Sequence, residues 1–120
     1  MSKLTVYQYP QCSTCRNAIK WLREQGHELN LVHIVESPPS AEHLRELVEH
    51  SELELKKFFN TSGEVYKSMN LKEKLPSMSP EEQLQLLSEN GKLIKRPIVT
   101  DGDRVTVGFK ADMYESAWKA

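Results

Sequence analysis

The chain has 120 residues, a formal net charge of −1, 28% charged residues and 38% hydrophobic ones. That length is enough for one domain with one core, and the near-neutral balance leaves no strong field to draw it to nucleic acid or to an anionic membrane. No apolar run approaches the ~20 residues of a membrane span, and Met1-Ser2-Lys3-Leu4 leads into a strand without a signal-peptide core, so a cytoplasmic protein is expected.

Leu4 to Tyr9 reads as a first strand. A helix is expected from Ser13 to about Gln25: Cys15, Ala18, Ile19 and Leu22 share one face at helical spacing, and Arg16, Lys20, Arg23 and Glu24 take the outer face. Gly26 is a good stop just past its end. Leu29 to Val35 is dense in apolar residues and predicts a second, mostly buried strand. The opening is therefore β-α-β, which implies a parallel strand pair.

Ser37-Pro38-Pro39-Ser40 ends that unit, and a mostly helical stretch follows to about Asn90. Ser40 can cap a helix carrying Leu44, Leu47 and Val48 inward. Ser51-x-x-Glu54 has capping-box spacing for a short helix through Leu55, Phe58 and Phe59. Glu64 to Met69 predicts another brief helix. Ser79-Pro80-Glu81-Glu82 is the clearest helix start, with Ser at N-cap, Pro at N1 and Glu at N3. Strands then return: Ile94 to Thr100 and Arg104 to Val107 flank the turn Asp101-Gly102-Asp103. Lys110 to Lys119 predicts a last helix, with Met113, Ala117 and Trp118 available to pack.

Cys12 and Cys15 are the only cysteines. Two cysteines confined to one motif fit a reducing compartment, since secreted domains usually spread their disulfides as staples. The order strand, turn, Cys-x-x-Cys, helix is the setting in which the motif reads as a redox pair. The first thiol meets free N–H groups and the positive end of the helix dipole, which favour the thiolate. Cys12 is the expected nucleophile and Cys15 its resolving partner; the other possibility is an inert buried pair. A zinc site needs about four ligands, and no second cluster supplies them. His43 and His50 stand ~10.5 Å apart along a helix, and all four histidines read as surface or strand residues.

Arg96 and Arg16 are the cations expected to stabilise the Cys12 thiolate or to hold an oxyanion. Arg16 reads equally well as a solvated surface charge. Pro97 opens a strand in which proline would forfeit a ladder hydrogen bond. A cis Arg96–Pro97 bond would turn the backbone toward the cysteine loop, whereas the local sequence alone favours trans.

Tyr9-Pro10-Gln11-Cys12-Ser13-Thr14-Cys15-Arg16-Asn17-Ala18 resembles the N-terminal motif of the arsenate reductase (ArsC) family and its Spx-type relatives. Leu93-Ile94-Lys95-Arg96-Pro97-Ile98-Val99 resembles the family's second motif, and Val107-Gly108-Phe109 resembles a short sequence of the Spx-like branch. The resemblance covers essentially the whole chain. It implies an α/β fold: a thioredoxin-like core (β-α-β, then β-hairpin and C-terminal helix; residues 1–36 and 92–120) with a helical insertion (residues 37–91) between strands two and three. It also implies a cis Pro97.

In the glutaredoxin-coupled arsenate reductases that the chain resembles, the first cysteine attacks arsenate and three arginines cradle the anion. Asn60 stands where the first arginine is expected, Arg96 matches the second, and Gly108 is followed by Phe109, with Lys110 one further on, where the third is expected. That branch commonly lacks a cysteine at the position of Cys15. Genuine arsenate reduction is therefore expected to be poor. Proteins of the Spx type carry Cys-x-x-Cys and Arg-Pro as here and act as redox switches on RNA polymerase. Their extra charged C-terminal tail has no counterpart before Ala120.

The expectation is a cytoplasmic thiol–disulfide oxidoreductase working through a Cys12/Cys15 pair. Catalytic residues would be Cys12, Cys15 and Arg96, supported by Arg16, Pro97, Asn60 and Lys110. No bound cofactor or metal is expected. An external thiol, thioredoxin or glutaredoxin with glutathione, would supply electrons to a monomer that binds neither nucleic acid nor membrane. The alternative is an Spx-type redox-sensing regulator with RNA polymerase as partner.

Overall fold

A computed structural model describes residues 3–119. The reading of Met1 and Ser2 and the terminal Ala120 lie outside the described residues. The strands are β1 (Lys3–Gln8), β2 (Glu28–His33), β3 (Ile98–Thr100) and β4 (Val105–Val107). The helices are α1 (Ser13–Glu24), α2 (Ala41–Ser51), α3 (Glu64–Ser68), α4 (Leu71–Lys74), α5 (Pro80–Glu89) and α6 (Ala111–Trp118), with 3₁₀ turns at Leu55–Phe58, Leu75–Ser77 and Gly91–Leu93. The chain forms two compact units, residues 1–33 with 96–120, and residues 34–95.

The first unit carries a four-stranded mixed sheet in the order β2-β1-β3-β4. β1 pairs parallel with β2, Val6 opposite Leu31, as the β-α-β opening implies. β3 runs antiparallel to β1 and to β4, closing the expected hairpin. At the hairpin tip, Asp101 Oδ1 accepts hydrogen bonds from the N–H groups of Asp103 (2.9 Å) and Arg104 (2.8 Å). Gly102 takes the left-handed φ of +105° that a side chain would resist. Leu4, Val6, Ala18, Leu22, Val99, Tyr114 and Trp118 form the core between the sheet, α1 and α6. Leu22 C=O accepts from His27 N–H and Arg23 C=O from Gly26 N–H, so α1 ends in a Schellman motif with Gly26 at φ +87°.

Three expectations need correction, one of them involving residues 94 and 95 of the second unit, and the Arg96–Pro97 bond takes one of its two expected forms. β2 has no buried residue, and Leu31 is 40% exposed. It is an edge strand, so its apolar density covers one face rather than two. β3 starts at Ile98, not Ile94. Residues 94 and 95 spend their backbone groups elsewhere, Ile94 bridging Phe59 and Lys95 N–H donating to Phe58 C=O at 2.7 Å. His27 is buried rather than on the surface or in a strand, its Nε2 against the Trp118 carbonyl. Arg96–Pro97 is cis, against the local expectation and as the family resemblance implies.

In the second unit, α2 is capped by Ser40, whose Oγ accepts from His43 N–H at 3.1 Å. The capping box at Ser79 is complete: Glu82 N–H donates to Ser79 Oγ (3.1 Å) and Ser79 N–H to Glu82 Oε1 (2.9 Å). Ser51 makes no such box. Its hydroxyl donates to Val48 C=O (2.7 Å) and accepts from Leu53 N–H (3.0 Å), so it ends α2 instead of starting the next turn. Glu52 follows at φ 60°. Phe58 and Phe59 are buried as expected, and Val48 is half-buried. Gly91 sits so close to the Ile34–Val35 backbone that a Cβ there would lie 2.8 Å from Val35 Cα.

Candidate functional site: a thiol pair at the start of α1

β1 delivers the chain to a tight turn at its C-terminal end, where Cys12 N–H donates to Tyr9 C=O at 2.9 Å. Cys12 then takes the N-cap position of α1, extended at φ −87°, ψ 116°. The first helical N–H groups have no helical acceptor, and the Cys12 side chain stands at their end of the helix without making a capping hydrogen bond. Cys15 follows at the third helical position, on the same stripe as Ala18 and Leu22, and is fully buried. Cys12 is half-buried, and both thiols are free.

The two thiols have opposite electrostatics. Burial pushes Cys12 up. The main-chain N–H and side chain of Cys15, the N–H of Thr14 and the charge of Arg96 outweigh it and hold Cys12 below its ordinary value. Burial also pushes Cys15 up, and there the Tyr9 main chain and Arg96 do not compensate. The Cys12 sulfur adds to the rise, and Cys15 stands at about 12. One site thus holds a thiol eased toward ionisation and, one turn on, a thiol kept protonated.

Arg96 reaches this site from the residue before Pro97. Its guanidinium carbon lies 5.1 Å from the centre of the Tyr9 ring, a cation–π distance. The other edge of that arrangement is His33, whose ring meets Tyr9 edge-on at 5.7 Å. Tyr9 is the residue that the sequence reading left out. No local signal marks it, because its ring partners Arg96 and His33 lie far along the chain.

Arg16 is not turned to the thiols. It donates to Pro10 C=O at 2.8 Å, bracing the loop from outside. Pro97 is buried, and its carbonyl accepts from Gly108 N–H at 2.9 Å. Gly108 adopts φ +82°, and Phe109 packs edge-on against Tyr114 at 4.7 Å. Lys110 is the exposed N-cap of α6. Asn60 belongs to the second unit, where its N–H donates to Leu93 C=O at 2.7 Å and Gly63 N–H donates to its C=O at 3.1 Å. Among the described residues no group of three or more His, Cys, Asp or Glu side chains is placed to hold a metal ion. No described helix is long and apolar enough to cross a membrane.

Comparison with known proteins agrees with this arrangement. The family model described as "ArsC family" matches residues 7–117. The protein YusI of Bacillus subtilis (strain 168) is 61% identical over 115 residues, 96% of this chain and 98% of that one. The global transcriptional regulator Spx of Enterococcus faecalis is 31% identical over 91% of this chain and 81% of its own length. An arsenate reductase of Acidiphilium multivorum is 29% identical over 82% of this chain and 69% of its own length. Among solved structures, an ArsC-family-related protein from Bacteroides fragilis superposes with a TM-score of 0.90 at 49% identity, covering 94% of this chain and 95% of that one. The α/β sheet order, the Cys-x-x-Cys at the start of α1 and a match spanning nearly every described residue place this chain in the ArsC family, on a thioredoxin-like fold.

Proposed function

We propose that the chain is a cytoplasmic thiol–disulfide oxidoreductase in which Cys12 attacks and Cys15 resolves. The observation that carries this reading is the asymmetry of the pair: Cys12 half-buried and held below its ordinary value, Cys15 fully buried and raised to about 12. The Cys12 thiolate would attack one sulfur of a target disulfide, forming a mixed disulfide and releasing the other sulfur as a thiolate that takes a proton. Cys15 would then lose its proton and attack the Cys12 sulfur, closing Cys12–Cys15 and releasing the second target thiolate. The target gains two electrons and the pair loses two. An external thiol, thioredoxin or glutaredoxin with glutathione, would return the pair to its reduced state.

The geometry supports that order. The Cys12 sulfur contributes to the rise of Cys15 through its hydrogen bond and charge. Once Cys12 is tied in a mixed disulfide that charge is gone, and only burial still opposes ionisation of Cys15. The first step thus makes the second easier. Steady-state reduction of a model disulfide, with thioredoxin or glutaredoxin and glutathione as electron source, tests the reading. Turnover that vanishes in Cys12→Ser is expected, and turnover unchanged in that variant contradicts it.

The 31% identity to Spx supports a second reading, a redox-sensing regulator that contacts RNA polymerase. Retention of RNA polymerase by the immobilised chain, changing with the Cys12–Cys15 state and without catalytic turnover, would favour it over the first.

A further inference from the structure

A groove of about 700 Å³ runs along the outer side of α1, between that helix and the end of β1 and middle of β2. Its cationic wall is Arg16, Lys20 and Arg23, against a single carboxylate, Glu24. Lys20 and Arg23 have no hydrogen-bond or ion-pair partner for their side chains among the described residues. Arg16 is fixed at one end by its bond to Pro10 C=O.

The floor is apolar. Leu29 and Leu31 are two residues apart on β2 and so point to the same side of the sheet. Leu29 packs on the core beneath α1, but Leu31 extends past that cover and stays 40% exposed in the groove, beside Ile19 and Pro10. Leu31 thus adds apolar contact area beside Lys20 and Arg23, two cations whose side chains have no partner among the described residues.

The groove also has a direction. Positions 12, 16, 19 and 23 share one helical stripe, so the cationic wall is in register with Cys12. From residue 12 to residue 23 the helix rises ~16 Å, the length of about five residues of extended chain.

We propose that this groove docks an acidic, leucine-bearing extended segment of the protein whose disulfide Cys12 attacks. Carboxylates of that segment pair with Arg16, Lys20 and Arg23, and its apolar side chain covers Leu31 and Ile19. Charge of this kind governs encounter and partner choice more than final affinity, which suits a surface that must release its partner after exchange. The surface would select acidic disulfide proteins over basic ones. The inference rests on the reading of Cys12 as the attacking thiol, and its test separates the two.

The probe is a short glutamate–leucine peptide without cysteine, titrated into reduced, nitrogen-15-labelled full-length protein, beside a lysine–leucine peptide of the same length. Shifts at the amides of Arg16, Ile19, Lys20, Arg23 and Leu31 are expected with the acidic peptide only. The affinity should weaken as salt is raised and fall about tenfold in Lys20→Glu/Arg23→Glu. In a second arm the same peptides carry a mixed disulfide, and Cys12 should attack the acidic one faster, an advantage lost in the double variant while a neutral peptide reacts unchanged. Equal binding of both peptides, shifts confined to other surfaces, or an affinity indifferent to salt overturns the proposal. Docking of the acidic peptide with no attack by Cys12 leaves the groove standing and rejects the exchange chemistry.

Discussion

Alkylation of the two thiols turns the electrostatics of the pair into a measured ratio. Cys15 stands at about 12 against an ordinary value of 9.0, so at about pH 8 roughly one Cys15 in ten thousand is thiolate. Cys12 lies below 9.0, so more than about a tenth of it is ionised at the same pH. The thiolate is the reacting form, and the greater nucleophilicity of a high-pKa thiolate offsets only part of the gap, so Cys12 should be labelled roughly thirtyfold or more faster than Cys15. Exposure acts in the same direction, because Cys12 is half-buried and Cys15 fully buried. Iodoacetamide labelling followed by peptide mass spectrometry across pH gives both rates in one sample. The Cys12→Ser variant carries the argument further. It removes the Cys12 sulfur that raises Cys15 and leaves burial in place. Thiolate absorbance should then show Cys15 titrating below 12 yet above an ordinary thiol. Labelling of the two cysteines within tenfold of each other, or a Cys15 titration that does not move in Cys12→Ser, would refute the reasoning.

Three further outcomes follow from the same structure. Stability should fall between about pH 9 and pH 12, because the unfolded chain ionises Cys15 at its ordinary value while the folded chain must first reach about 12; the three-unit gap corresponds to about 4 kcal/mol. Tyr7 and Tyr114 are also raised by burial, so the Cys15 share is read from denaturant curves as the difference between wild type and Cys15→Ala, and parallel curves would count against it. Gly91→Ala should cost at least about 1–3 kcal/mol, since its Cβ would press on the Ile34–Val35 backbone; an unchanged urea midpoint would show that the backbone yields freely. Arsenate reduction with glutathione and glutaredoxin should be poor, because two of the three arginines implied by the family resemblance are Asn60 and Phe109-Lys110 here, and each lost charge-assisted bond removes ~1.5–3 kcal/mol; efficient Cys12-dependent reduction would show that Asn60 and Lys110 replace them.

What could be read from the sequence follows how local each cause is. The capping box at Ser79 and the cap at Ser40 are settled within four residues, and both form as read. The parallel β1–β2 pair follows from the β-α-β order. Ser51 has the same spacing as Ser79, but its hydroxyl finds the Val48 carbonyl of its own helix first. Periodicity cannot show which strand is outermost, so Leu31 reads as core until the order β2-β1-β3-β4 places it at the rim. The late start of β3 has a distant cause, the pairing of residues 94 and 95 with Phe58 and Phe59.

At the site, the motif and its helix are legible because the N-cap position of Cys12 follows from a strand, a proline and an amphipathic run. The difference in burial between the thiols was also legible from position, Cys15 lying on the buried stripe with Ala18 and Leu22. The contribution of Tyr9 was not. Its ring lies under a cation 87 residues later in the chain, Arg96, and beside His33 at the end of β2, and no local pattern links the three. The same holds for Arg16: a cation one residue after Cys15 reads as a thiolate partner, yet the Pro10 carbonyl takes it. The groove wall of Lys20 and Arg23 reads from sequence as an ordinary solvated helix face, and becomes distinct only beside the exposed Leu31.

The most direct test of the exchange chemistry is a trapping experiment with the Cys15→Ser variant. Reduced protein is mixed with a peptide disulfide, quenched in acid and weighed by intact mass spectrometry. The wild type should end as the Cys12–Cys15 disulfide with the peptide released, whereas Cys15→Ser should stop with one peptide half bound to Cys12. A Cys15→Ser variant that gains no peptide mass, or a Cys12→Ser variant that gains it as fast as wild type reacts, would contradict the assignment of Cys12 as the attacking thiol and Cys15 as the one that releases it.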